Sequence, residues 1–132
     1  MDRAESRIRR AFHALAEIDR VRMQPEGLVE DVVVLFREFS DEGDRFERAV
    51  ANTAIAIEQA RDGRVTPAKL RNSLQGWNSL HYQSAKGQGA PADMRLVYRI
   101  DSDGRIAVKC FGHRYRPVDI YKRFMHDSAK RV

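Results

Sequence analysis

The sequence lacks the features expected of a secreted, metal-binding or membrane-spanning protein. It has one cysteine, Cys110, so no disulfide can form within the chain, and no cluster of residues has metal-ligand spacing. The longest apolar run, residues 32–36, is far shorter than the roughly 20 residues of a membrane span. The N-terminus begins with charges of both signs and has no signal-peptide pattern. These absences predict a cytoplasmic protein without a cofactor, a metal or a membrane partner.

Proline and glycine are also scarce, which argues against a disordered or fibrous chain. There are 4 Pro and 8 Gly among 132 residues, and the composition is 42% hydrophobic and 33% charged. This length is sufficient to bury a core and fits one domain. We therefore predict a single domain over residues 1–132, with a helical N-terminal extension over 1–30 and the core over 31–132.

The charge is distributed unevenly along the chain. Residues 1–63 hold 10 Lys+Arg and 14 Asp+Glu, which gives −4, whereas residues 64–132 hold 14 and 5, which gives +9; the sum is the net +5. A basic surface attracts polyanions, so the second half indicates a phosphate-bearing partner such as a nucleic acid. A solvated basic surface with no partner is the alternative.

The first 39 residues predict a helix followed by a strand. Residues 4–22 place five apolar side chains on one stripe at helical spacing: Ile8, Ala11, Phe12, Leu15 and Ile18. Residues 31–39 contain a short β-branched run, which predicts a buried strand. A helix that continues from Pro25 is the alternative for this segment.

A second amphipathic helix is predicted after Ser40, which can serve as its N-cap, and ends near Gly63. Its apolar stripe consists of Phe46, Val50, Thr53, Ala54 and Ile57. Thr66 and Pro67 then open a short helical turn that extends to Asn72.

From residue 77 the period of the apolar residues changes from 3.6 to 2, which predicts a three-strand meander. The strands cover residues 77–83, 94–100 and 106–111, joined by a loop over 86–93 and a tight turn over 101–104. We expect these side chains to face the core: Leu80, Tyr82, Met94, Leu96, Tyr98, Ile100, Ile106, Val108 and Cys110. A closing helix over 117–125 would turn Val118, Tyr121, Phe124 and Met125 inward, and the order of elements is α+β.

Alternation along these strands sorts the charged side chains onto the opposite face of the sheet. That face would carry His81, Arg95, Arg99 and Lys109. His113, Arg114 and Arg116 follow the last strand, Tyr121 lies in the closing helix, and Lys86 lies in the 86–93 loop. Trp77 is expected to anchor the core or an edge of the sheet.

This set of residues suits cleavage of RNA without a metal ion. RNA supplies its own nucleophile, the 2′-OH, so the protein must align it, move protons and stabilise charge on the phosphate. Histidine transfers protons near neutral pH, arginine holds phosphate oxygens with two donors, and aromatic rings stack on unpaired bases. Each residue also has a non-functional alternative. His81 can be an ordinary surface residue, Arg95 and Arg99 can be edge charges that discourage aggregation, and Tyr121 can be a core residue.

Several segments resemble the RelE/ParE toxin superfamily. They are residues 69–71, the strand over 80–83, the Met-Arg-Leu-Val-Tyr-Arg-Ile segment over 94–100, Gly-His-Arg over 112–114, and Asp-Ile-Tyr over 119–121. The usual order of that family is a strand, a helical hairpin, a three-strand meander and a short final helix, which would map onto residues 31–127. The N-terminal helix and the long 86–93 loop depart from this pattern.

The resemblance implies an endoribonuclease that cleaves mRNA on the ribosome and is paired with a cognate antitoxin protein. By this resemblance, Arg95 matches the strand arginine that contacts the scissile phosphate. Arg114 matches the arginine after the last strand, and Tyr121 matches the tyrosine near the start of the closing helix. The proton-transfer residue would be His81 or His113, and Lys86, Arg99, Lys109 and Arg116 would bind the nucleic acid. Two alternatives stay open: a ParE-like protein that inhibits a DNA-handling enzyme by binding, and a non-catalytic RNA-binding module.

Overall fold

The computed structural model describes residues 2–126 and 131–132, and over these it has an α+β fold with an N-terminal helix, as predicted. Four helices and a five-stranded sheet are present there. In chain order they are α1 (Arg3–Ala16), β1 (Val21–Arg22), α2 (Pro25–Phe39), α3 (Arg45–Arg61), β2 (Ala68–Lys69), β3 (Asn78–Tyr82), β4 (Met94–Ile100), β5 (Ile106–His113) and α4 (Ile120–His126). The strand order is β1-β5-β4-β3-β2; β1 pairs in parallel with β5, and the other pairs are antiparallel.

The prediction of a strand over 31–39 is wrong, because this segment belongs to α2. Pro25 occupies the first turn of the helix, where its missing N–H costs nothing. The buried apolar side chains then recur at helical spacing: Leu28, Val32, Leu35 and Phe39. The β-branched run indicated a strand, but its packing against the neighbouring helices and the sheet outweighs that weak local preference.

Other local predictions also need correction. The first helix ends at Ala16 rather than residue 22, and the residues after it contribute β1. Ser40 is the C-cap of α2 and not the N-cap of α3, whose N-cap is Asp44. The segment over 66–72 forms β2 and leads into a 3₁₀ turn over Asn72–Leu74 instead of a helical turn.

One face of the sheet packs against α1, α2 and α3 and forms the main core. Its buried side chains from the sheet are Leu80, Met94, Leu96, Tyr98, Ile106, Val108 and Phe111, and from the helices they include Leu15, Val32, Phe39, Phe46 and Ile57. We call this the helix face of the sheet and the other side its outer face. Ile100, which was predicted to face the core, is 47% exposed at the end of β4.

A β-bulge in β5 changes which side chains lie on each face. Val97 pairs with Cys110 and Tyr98 pairs with Val108, so Lys109 has no partner in the ladder. The extra residue reverses the alternation beyond it, and Cys110 packs on the outer face while Phe111 joins the main core. The prediction that Cys110 faces the main core is therefore wrong.

The outer face is partly covered, which the sequence did not indicate. Val97 and Cys110 pack there against two residues of α4, Ile120 and Phe124, in a second apolar cluster. Gly112 permits this approach, because a Cβ at that position would lie 2.8 Å from Nη2 of Arg123. Val118 and Met125, predicted to point inward, are 44% and 50% exposed.

Candidate active site

Three of the predicted site residues lie together at one end of the outer face. His81 in β3 pairs directly with Arg95 in β4, and Arg95 pairs with Gly112 in β5. Arg114 follows the end of β5, where its N–H donates to the Asp93 carbonyl at 2.8 Å. We call His81, Arg95 and Arg114 the histidine–arginine cluster.

Arg114 is held by groups on two sides. Its Nη1 lies 2.6 Å from Oδ2 of Asp119, and its guanidinium carbon lies 4.5 Å and 4.7 Å from the ring centres of Tyr115 and Tyr121. Burial lowers the pKa of Arg114, but the hydrogen bond and charge of Asp119 outweigh burial and raise it. Arg114 is therefore a fixed, permanent cation.

Tyr121 packs against Arg114 and is itself held by a hydrogen bond to the sheet. Its hydroxyl lies 2.9 Å from Oγ of Ser79, a residue that is 2% exposed in β3. Either oxygen can donate in this bond, which ties α4 to the sheet. The Tyr121 ring is thereby fixed beneath the Arg114 guanidinium, and its hydroxyl is already engaged within the protein.

The electrostatics of the cluster favour a neutral imidazole at His81. Burial lowers the pKa of His81, and the positive charges of Arg95 and Arg114 lower it further. Burial also lowers the pKa of Arg95, which stays far above neutrality as for any arginine. A neutral histidine beside two cations is arranged to accept a proton near a bound anion.

His113 lies on the helix face, away from this cluster. It pairs with Met94 across the ladder, and its ring lies 6.3 Å from that of Phe39 in α2. Its Nδ1 accepts hydrogen bonds from the N–H groups of Tyr115 and Arg116 at 3.1 Å and 3.0 Å. The bulge at Lys109 accounts for this position, because it shifts the alternation of β5 by one residue.

Two of the predicted nucleic-acid contacts also lie apart from the cluster. Nε of Arg116 lies 3.0 Å from Oε1 of Glu38 in α2. Lys86 borders a cavity of about 470 Å³ between its loop and α3, together with Tyr82. Both side chains are therefore on the side of the molecule that the helices cover.

Arg99 and Lys109 lie at the other end of the outer face. The guanidinium carbon of Arg99 is 4.6 Å from the Trp77 ring centre, and Nζ of Lys109 is 4.5 Å from it. Nε of Arg99 also lies 3.4 Å from Oδ1 of Asp101. The Tyr121–Ser79 contact and the second apolar cluster separate this group from the histidine–arginine cluster, so the predicted cationic face is divided in two.

Sequence reasoning missed three residues that shape the site: Ser79, Tyr115 and Asp119. Asp119 precedes α4 and accepts the Tyr121 N–H at 2.9 Å, so its position at a helix start was a usable signal. Tyr115 is 65% exposed beside Arg114 and offers a stacking surface. Ser79 gave no signal, since its role depends on the packing of α4.

Within residues 2–126 and 131–132, no helix is long and apolar enough to cross a membrane. The same residues contain no group of three or more His, Cys, Asp or Glu that could hold a metal ion. Comparisons with protein-family models, with curated proteins and with solved structures find no match to this chain.

Proposed function

We propose that the chain is a metal-independent endoribonuclease of the RelE type, which cleaves mRNA on the ribosome in the cytoplasm. One observation carries the proposal: His81 pairs directly with Arg95 across β3 and β4, and Arg114 lies beside them at the same end of the sheet. Burial and the charges of both arginines lower the pKa of His81. This combination provides a base and a phosphate clamp in one place, and RNA brings the nucleophile itself.

Each residue of the cluster has a distinct role in this mechanism. Neutral His81 takes the proton of the 2′-OH as the oxygen attacks the adjacent phosphorus. Arg95 and Arg114 bind the phosphate oxygens and stabilise the negative charge that develops on them. The bond between phosphorus and the 5′-oxygen breaks, and a solvent water molecule donates a proton to the leaving 5′-oxygen. The products carry a 2′,3′-cyclic phosphate and a 5′-hydroxyl.

The order of elements supports the same proposal. A strand, a helical hairpin, a meander and a short final helix follow one another from β1 to α4, with the two-residue β2 inserted before the meander. This is the order that the family resemblance implies, although it begins at Val21 and not at residue 31. A shared fold is an analogy only, so the cluster carries the functional argument. The proposal includes a cognate antitoxin that covers the basic outer face.

A ParE-like protein that acts by binding is the second candidate, and the position of His113 favours it. His113 lies on the helix face, so His81 is the one histidine of the predicted site residues beside the arginines. Tyr121 has its hydroxyl bonded to Ser79. The site therefore has fewer proton-transfer groups than the sequence predicted. This smaller number favours a protein that binds its target without cleaving it.

Controlled expression tests the two candidates against each other. The wild type is compared with Arg95→Ala/Arg114→Ala while transcript 5′ ends are mapped. Growth arrest with new mRNA cuts, both lost in the double variant, is the expected result. Arrest with intact transcripts would favour the binding inhibitor, and absence of arrest and cuts would contradict both toxin functions.

A further inference from the structure

A polar cavity lies at the end of the sheet that is far from the histidine–arginine cluster. It has a volume of about 610 Å³ and lies between β2, the 3₁₀ turn and the start of β3. Its polar lining consists of two cations and three amides, beside the Trp77 ring: Lys69, Arg71, Asn72, Gln75 and Asn78. Cations and amides together are the groups that recognise phosphates and base edges in single-stranded RNA.

The polar side chains of this cavity are available to a ligand. Over residues 2–126 and 131–132, Lys69 and Arg71 form no ion pair, and both are exposed. The amides of Asn72, Gln75 and Asn78 make no side-chain hydrogen bond within the same part of the chain. Backbone hydrogen bonds instead fix the loop, among them Leu70 N–H to the Trp77 carbonyl at 3.0 Å.

The cavity opens beside the same face of the sheet as the histidine–arginine cluster. Leu70 and Trp77 from its wall pack on the second apolar cluster, which covers the middle of the outer face, as does Leu74 of the 3₁₀ turn. Trp77, just before β3, and His81 are four residues apart on the outer face, which corresponds to roughly 13 Å along a strand, and the Tyr121–Ser79 contact lies between them. A short stretch of extended nucleotides can span this distance.

Two cations lie against the Trp77 ring at the rim of the cavity. Arg99 and Lys109 both lie against its ring on the outer face of the sheet. Asp101 offsets part of the charge of Arg99, whereas Lys69 and Arg71 have no such neighbour among the described residues. The rim therefore carries cations on two sides.

We propose that this cavity is a second RNA subsite, which binds a nucleotide that flanks the cleaved bond. Lys69 and Arg71 bind its phosphates, and the amides of Asn72, Gln75 and Asn78 contact the edge of its base. The proposal rests on the ribonuclease function proposed above. It extends the RNA that the protein contacts from the cleaved phosphodiester to a segment of single-stranded RNA.

Binding of labelled single-stranded RNA to the full chain tests the subsite. We expect Lys69→Ala/Arg71→Ala to weaken binding of a long oligonucleotide by about fivefold or more at low salt. Loss of two phosphate contacts should also flatten the dependence of log affinity on log salt by about 1.4.

The matched control is Arg3→Ala/Arg10→Ala, which removes two exposed arginines from α1 on the helix side of the sheet. It should leave the affinity and the salt slope nearly unchanged. Gln75→Ala adds a test of base contact, because it should weaken binding to some homopolymers more than to others. Unchanged affinity and slope in Lys69→Ala/Arg71→Ala would overturn the subsite.

The failure of the subsite can be told apart from the failure of the nuclease. If Arg95→Ala/Arg114→Ala abolishes cleavage while Lys69→Ala/Arg71→Ala changes neither binding nor salt slope, the subsite is wrong and the nuclease stands. If the Lys69 and Arg71 variant weakens RNA binding but no RNA is cut by the wild type, the cavity is an RNA site and the nuclease function is wrong.

Discussion

Asp31 and Arg131 form a buried ion pair between positions 100 residues apart in the chain. The Asp31 carboxylate lies 2.9 Å from Nη1 of Arg131, and Arg123 in α4 reaches the same carboxylate at 2.6 Å. It also accepts the Phe111 N–H at 3.2 Å. One side chain of α2 therefore joins β5, α4 and Arg131.

Removal of this carboxylate should destabilise the protein strongly. Asp31→Ala leaves the buried side chains of Arg123 and Arg131, which are only 8% and 1% exposed, with one carboxylate between them, that of Glu30 at 3.9 Å and 3.0 Å. We expect the free energy of unfolding to fall by about 3–5 kcal/mol, measured by urea denaturation. Asp31→Asn, which keeps an acceptor for the Phe111 N–H, should cost less.

The control for this experiment is Arg9→Ala, which breaks the exposed pair with Glu5 on α1. Because surface pairs contribute little, it should leave the midpoint of denaturation almost unchanged. Equal midpoints for Asp31→Ala and Arg9→Ala would show that the buried pair does not hold α4 in place.

The pKa of His81 should lie below the ordinary histidine value of about 6.5. Burial is the larger cause, and the charges of Arg95 and Arg114 add to it. Since His81 acts in its neutral form, cleavage should fall as pH drops through the lowered pKa, at a more acidic pH than for an ordinary histidine. NMR titration of the His81 ring gives this pKa independently of activity.

Substitutions near His81 separate the two causes of the shift. Arg95→Gln removes one positive charge and should raise the His81 pKa towards its ordinary value. His81→Ala should abolish cleavage over the whole pH range. An NMR midpoint at or above about 6.5 in the wild type would contradict the proposed neutral base.

His113 should affect stability at acidic pH and not catalysis. Burial lowers its pKa, and Arg116 lowers it further against the opposing charges of Asp93 and Glu38. The unfolded chain therefore takes up a proton first as pH falls below about 6.5, and the free energy of unfolding decreases until folded His113 is protonated as well.

His113→Asn should remove this part of the acid destabilisation. Its side-chain oxygen can accept the N–H groups of Tyr115 and Arg116 in place of Nδ1, so the loop that carries Arg114 should keep its shape. Denaturation curves across pH 5 to 7.5 measure the effect. Loss of cleavage in His113→Asn with normal stability would mean that the histidine participates in the reaction after all.

Strict alternation made the meander predictable from the sequence. Residues 94–100 alternate without interruption, and Gly104 takes the positive φ of 83° that the tight turn after β4 needs. The position of His81 and Arg95 on one face followed from that pattern, whereas their direct pairing is seen only in the structure. The helix over 31–39 could not be separated from a strand, because a short apolar run of β-branched residues suits both.

The bulge at Lys109 is the reason why the sequence could not predict the faces of the residues after it in β5. Ile106, Val108 and Cys110 continue the alternation in the sequence, so nothing there shows that Lys109 and Cys110 share a face. That one residue moves His113 to the helix face and leaves His81 with the arginines. The Asp119–Arg114 pair depends on how α4 packs, which no local pattern encodes.

The chemical ends of the RNA fragments test the central claim most directly. Wild-type protein in a translating extract should produce upstream fragments with a 2′,3′-cyclic phosphate and downstream fragments with a 5′-hydroxyl. His81→Ala and Arg95→Ala/Arg114→Ala should produce neither. Fragments with 5′-phosphate ends, or cuts that persist in both variants, would contradict cleavage by 2′-OH attack at the histidine–arginine cluster.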